Sequence, residues 1–255
     1  MRLWKNHKEV GLLSLTITAF MLLVFVKFRL PLIADLKGLW IGHLLTTEAF
    51  GEVLGDLLIG LISAYVFYIL IDLWPRKKRE RSTLRTLNLV LATVVDAYER
   101  ARAYGHEPPI SVIDPSILTL ERLSQNIEMV KSPEELLSGL KFAMETAHSR
   151  YSDFQGTLVL AAELSPEHAL AWLGITDKIR LLAIEFETYP KHPWPRNLDY
   201  MPCLDDVVDN QTGFEYERYQ EYLAALEASR QTLQLRLMEF FEQARAWVST
   251  TNSQS

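Results

Sequence analysis

Two stretches of the chain have no polar rhythm. Val10 to Val26, VGLLSLTITAFMLLVFV, carries no charge and lies between Glu9 and Lys27. Val53 to Trp74, VLGDLLIGLISAYVFYILIDLW, carries only Asp56 and Asp72, one near each end. A helix needs about 20 apolar residues to cross a bilayer, and about 17 at the least. Charges are tolerated near the interface and costly at the centre. Both runs therefore predict spanning helices. The first exceeds the usual hydrophobic core of a secretory signal, and no small-residue cleavage site follows it, which favours a retained helix over a cleaved one. Between the runs, Leu36, Leu39, Trp40, Leu44 and Leu45 recur at helical spacing. They form either a short interfacial helix on the outer surface or an extension of one of the spans.

Past Ser82 the apolar residues become periodic. Leu84, Leu87, Leu91, Val94, Val95 and Tyr98 make one helical stripe, closed by Gly105. Asp114 followed by Pro115 predicts a second helix, to about Lys131. Ser132, Pro133 and Glu135 open a third, which Gly156 can bend and which ends near Leu164. Ser165, Pro166 and Glu167 open a fourth, to about Thr188. Residues 189–213 hold four prolines and no period, so they predict an irregular loop. A last long helix runs from Phe214 to Val248, and residues 249–255 predict a flexible polar tail. The expected fold is all-α: an N-terminal transmembrane helical hairpin (1–81) followed by a cytoplasmic antiparallel helical bundle (82–248).

Charge sets the expected orientation. Residues 1–81 hold 11 Lys and Arg against 7 Asp and Glu, while the remainder holds 15 against 25. The acidic body is a poor match for a nucleic-acid backbone, so no direct nucleic-acid binding is expected. Arg76, Lys77, Lys78, Arg79 and Arg81 follow the second run directly, and Arg2, Lys5 and Lys8 precede the first. Basic flanks stay cytoplasmic, which predicts a two-pass inner-membrane protein with both termini inside. Tyr65, Tyr68 and Trp74 suit the interface, and Pro75 predicts a break where the helix leaves it.

Motif chemistry is sparse. Cys203 is the single cysteine, which excludes an intrachain disulfide. Glu145 and His148 have the ExxH spacing of di-iron bundles, but no second copy exists, and a surface pair is the better reading. His106, His168 and His192 fall at helix ends or in the loop, where capping explains them. Asp205, Asp206 and Asp209 lack calcium-loop spacing. No phosphate-binding glycine loop or nucleophile elbow is present. No catalytic residue, cofactor or metal is therefore expected. Gly60 and Ala64 form a small-xxx-small pair suited to close helix packing, either on the first helix or on a second copy in a homo-oligomer. Asp56 suits an interfacial position, and Asp72 either pairs with Arg76 or marks a further role for the spans. In the loop, Trp194, Tyr200 and Met201 either anchor a partner or plug the end of the bundle.

The junction SAYVFYILIDLWPRKKRE, Ser63 to Glu80, resembles that of bacterial two-transmembrane inner-membrane proteins with a helical cytoplasmic domain. Some of these are anti-phage effectors of the retron type. The resemblance covers about the first 85 residues and carries over no catalytic residue. It implies a membrane-acting, toxin-like effector: the cytoplasmic domain binds a protein partner, and the spans assemble to perturb the bilayer. A non-toxic membrane-anchored adaptor is the alternative.

Overall fold

The computed structural model describes residues 7–27, 48–100, 109–132, 137–192 and 213–254. Among the described residues, all regular structure is helical. The chain divides into two compact units, residues 1–81 and residues 82–254.

In the first unit, α1 (His7–Lys27) packs on α2 (Glu48–Tyr68). Ala19, Gly55 and Leu58 are buried there. Most large apolar side chains instead point outward: Phe20, Met21, Leu57 and Phe67 are all exposed. The hydroxyls of Thr16 and Thr18 donate back to the carbonyls of Leu12 and Ser14, at 2.8 and 2.9 Å. Neither needs a donor or acceptor from outside its own helix.

A π-helical segment, Ile69–Leu73, joins α2 to α3 (Trp74–Arg100). Pro75 does not end the helix, contrary to the sequence expectation. Proline lacks an N–H, and its ring collides with the carbonyl four residues back. The wider turn absorbs both defects one step ahead of Pro75: the Trp74 N–H donates to Ile69 O, five residues earlier. The helix then continues through the basic cluster without a stop.

The second unit is built around α8 (Phe214–Gln254), which packs against α4 (Leu120–Lys131), α5 (Leu137–Gly156) and α7 (Pro166–Thr188). α5 also packs on α7, and α6 (Leu158–Leu164) covers part of α7. The C-terminal part of α3 contributes Leu87, Leu91, Val94, Val95 and Tyr98 to the same core. Aromatic rings fill its centre. Trp172 stacks on Phe154 at 5.6 Å and meets Trp247 edge-on at 5.2 Å, while Tyr98 meets Phe241 edge-on at 5.1 Å. Each buried indole N–H has a partner, as burial requires. Trp172 donates to Phe154 O at 3.2 Å, and Trp247 donates to Asn88 Oδ1 at 2.8 Å. Lys178 pairs with Glu239 at 3.0 Å, tying α7 to α8 at the rim.

Several boundaries differ from those expected. Asp114 caps a 3₁₀ turn, Pro115–Ile117, by accepting from Ser116 N–H. The α-helix begins three residues later at Leu120, where Thr119 Oγ1 accepts from Arg122 N–H. The third predicted helix is two: it stops at Gly156, and Thr157 turns the chain into α6. Thr157 Oγ1 donates to Asp153 O at 2.8 Å, which competes with the continuing helical ladder. Ser165 caps α7 as expected, accepting from His168 N–H. The residues expected to form a flexible tail are helical as far as Gln254. Thr250 and Thr251 hydroxyls return to the carbonyls of Ala246 and Val248, and Thr251 is buried. The interfacial segment at 36–45, Gly105, the helix start at Pro133 and Glu135, and most of the 189–213 loop lie outside the described residues.

Leu237 and Gly174 test this packing from opposite sides. Leu237 is fully buried, so Leu237→Ala should cost about 2–5 kcal/mol through lost transfer energy and a residual cavity. At Gly174 an added Cβ meets only the mobile end of Gln243, at 2.7 Å. Gly174→Ala should therefore keep most of alanine's helical advantage of about 1 kcal/mol and leave stability unchanged or slightly raised. Thermal unfolding of the full chain in detergent, followed by near-UV circular dichroism, reads both.

Candidate functional site on the continuous helix through Pro75

The residues singled out in the first unit share one helical path, from α2 through the π segment into α3. Asp56 is exposed in the second turn of the apolar run. Gly60 and Ala64, one turn apart, are exposed too, and a Cβ built on Gly60 meets nothing within 4 Å. Among the described residues, then, nothing packs on α2 at Gly60. Tyr65 and Tyr68 lie beyond it with ring centroids 6.5 Å apart, and Trp74 is exposed at the end of the π segment.

The expected pairing of Asp72 with Arg76 does not form. Arg76 Nε donates instead to Glu80 at 3.3 Å, and Lys77 Nζ reaches the other oxygen of Glu80 at 3.3 Å. The π segment changes the angular step around Asp72, so the four-residue spacing no longer aligns it with Arg76 as a regular α-helix would. From Trp74 onward the regular step returns, and Arg76 with Glu80 has it. Glu80 is the residue the sequence reading passed over, although its i+3 and i+4 spacing from Lys77 and Arg76 was legible. These pairs are solvent-exposed and contribute at most about 1 kcal/mol. Lys78, Arg79 and Arg81 are exposed as well. The basic cluster is thus a cationic helical surface with a single internal carboxylate.

Glu145 and His148 are not joined to each other. Lys141 Nζ lies 3.8 Å from Glu145, and the His148 ring stacks on Phe186 at 4.3 Å. Lys191 Nζ lies over the same Phe186 ring, also at 4.3 Å. Neighbouring Tyr189 has its hydroxyl pKa pushed up by burial first, then by Tyr222 and Glu145. Every partner here is a ring, a lysine or a lone carboxylate, so the arrangement is ordinary surface packing. Among the described residues no three His, Cys, Asp or Glu side chains come together in a way that could hold a metal.

His168 is buried rather than presented to a substrate. Its Nδ1 lies 2.8 Å from Ser165 Oγ, and its ring meets Trp247 edge-on at 5.5 Å. Within α3 Arg100 pairs with buried Asp96 at 2.9 Å, and Asn126 of α4 donates to Glu99 of α3 at 2.8 Å. They satisfy polar groups at the edge of the core. Trp194, Tyr200, Met201, His106 and the aspartates at 205, 206 and 209 lie outside the described residues.

A metal role for the ExxH pair makes a simple demand. Glu145→Gln with His148→Ala should leave thermal stability within about 0.5 kcal/mol of wild type, as surface changes do. Chelator should shift neither protein. A melting temperature that falls with chelator in the wild type and not in the double variant would contradict the surface reading. No protein-family model, curated protein or solved structure matches this chain.

Proposed function

We propose that the protein is an integral membrane protein of two spans, α1 and α2, with both termini in the cytoplasm. On this reading residues 82–254 form a cytoplasmic antiparallel helical bundle that binds a protein partner. The observation that carries it is the outward display of large apolar side chains on the first unit. Val53, Leu57, Phe67 and Ile71 are each more than 60% exposed, and the helix from Glu52 to Arg100 is long and apolar enough to cross a membrane. Lipid tails are the solvent in which such a surface costs nothing. The basic residues from Arg76 to Arg81 hold the body on the cytoplasmic side.

The exposed pair Gly60 and Ala64 favours spans that assemble with other copies over spans that only anchor. We therefore favour a membrane-acting effector, restrained by its partner through the body and perturbing the inner membrane once released. Anti-phage defence is the setting that the resemblance at the junction implies. The alternative is an anchored adaptor, for which the Gly60 face has no task.

Gly60→Leu separates these readings. Its side chain has free space among the described residues, so any effect reports on packing between copies. Self-association in membranes should weaken by about tenfold, and depolarisation on induced expression, read with a potential-sensitive dye, should fall to background at equal membrane level. A wild-type protein that leaves growth and potential untouched when expressed without its genomic neighbours would sink the effector reading and leave the adaptor.

A further inference from the structure

The π segment and Pro75 together leave the main-chain acceptors of this turn short of donors, and Leu70 is the clearest case. In an α-helix the carbonyl of Leu70 takes the N–H of residue 74, and in a π-helix that of residue 75. Here the Trp74 N–H is given to Ile69, and residue 75 is proline, with none to give. Both helical registers therefore fail Leu70. Just beyond this carbonyl, Trp74 and Lys78 stand four residues apart in the regular α-helix and so share one face. Leu70 is 49% and Trp74 63% exposed. Lys78 is exposed too; of the two nearby carboxylates, Glu80 is taken by Arg76 and Lys77, and Asp72 is exposed on the π segment.

We propose that this face holds the headgroup of an amine-bearing phospholipid, phosphatidylethanolamine, at the basic end of the span. The inference rests on the membrane-spanning reading above. An unmet carbonyl at the edge of the hydrocarbon costs several kcal/mol, so it draws a donor. Phosphate oxygens cannot donate, but the ethanolamine ammonium can, and the indole of Trp74 attracts the same cation to its face. The phosphate beside it accepts from Trp74 Nε1–H and from Lys78, whose side chain leans back along the helix toward Trp74. A choline headgroup is cationic but has no N–H to give. A glycerol headgroup has a hydroxyl donor but no charge for the indole. Only the primary amine meets both demands.

Native mass spectrometry of the full chain in mild detergent, supplied with equal amounts of phosphatidylethanolamine, phosphatidylglycerol and phosphatidylcholine, tests this directly. The ethanolamine lipid should be retained over each of the others by about fivefold, the net scale of one ordinary hydrogen bond. Pro75→Ala returns an N–H to the ladder and should bring that ratio to about one with helix content unchanged. Lys78→Gln should weaken the ethanolamine and glycerol lipids alike. Equal retention of the three lipids by the wild type overturns the proposal, as does an unchanged ratio in Pro75→Ala; either result means that water or Lys78 itself serves the Leu70 carbonyl. Alkaline extraction of native membranes keeps the two readings apart. A chain that washes out sinks the spanning reading, whereas a chain that stays in the membrane and shows no lipid preference sinks the headgroup site alone.

Discussion

Large apolar side chains have to be kept from water, and the two units meet that requirement in opposite ways. In residues 82–254, Trp172, Trp247, Phe240, Phe241 and Leu237 are fully enclosed by other helices. Among the described residues of α1 and α2, Ala19, Gly55 and Leu58 are buried, while Phe20, Met21, Leu57 and Phe67 are among many large apolar side chains left exposed. Two helices have too little mutual surface to enclose so many apolar groups. At about 25 cal/mol for each Å² of apolar surface, their exposure to water would be strongly unfavourable. A lipid environment removes that penalty, and this constraint, ahead of any motif, is what supports the proposed membrane-bound reading.

The helix that links the two units has to change character over a few residues. Ahead of Trp74 its surface is apolar and aromatic; after it come Arg76, Lys77, Lys78, Arg79 and Arg81. Pro75 stands at that change and would ordinarily kink or stop a helix. The π turn at Ile69–Leu73 lets the chain keep its helical course, at the cost of regular pairing around Leu70 and Asp72. The lost Asp72–Arg76 pair and the unmet Leu70 carbonyl have this one origin. Proline-containing spans are tolerated where neighbouring groups or solvent satisfy what the proline releases. The junction is thus where the proposed headgroup contact would supply what the helical ladder, with proline at 75, does not.

Much of the helical body could be read from the chain because its cues are local. Ser165-Pro166-Glu167 marks the start of α7, and the stripe from Leu233 to Trp247 marks the buried side of α8. The errors arose where two local cues compete. Asp114 and Pro115 look like a helix start, yet they form a 3₁₀ turn, and Thr119 supplies the cap of the true helix. The polar end of α8 reads as frayed, yet Thr250 and Thr251 satisfy their hydroxyls on the helix itself. At the candidate site, the spacing of Gly60 and Ala64 could be read from the chain, but their exposure could not, since the first helix was an equal candidate to cover them. The fates of Asp72 and Arg76 were not legible, because they depend on a π turn that no residue pattern announces. His148 likewise took a partner, Phe186, that lies far away in sequence.

The central claim is the path of the chain through the bilayer, and labelling of single cysteines tests it most directly. In a Cys203→Ser background, a cysteine at Thr46, between the spans, should react with a membrane-impermeant maleimide on intact spheroplasts. Cysteines at Asn6 and Ser82 should react only after the membrane is permeabilised. Labelling of Thr46 and Ser82 on the same side, or of all three without permeabilisation, would contradict two spans with a cytoplasmic body.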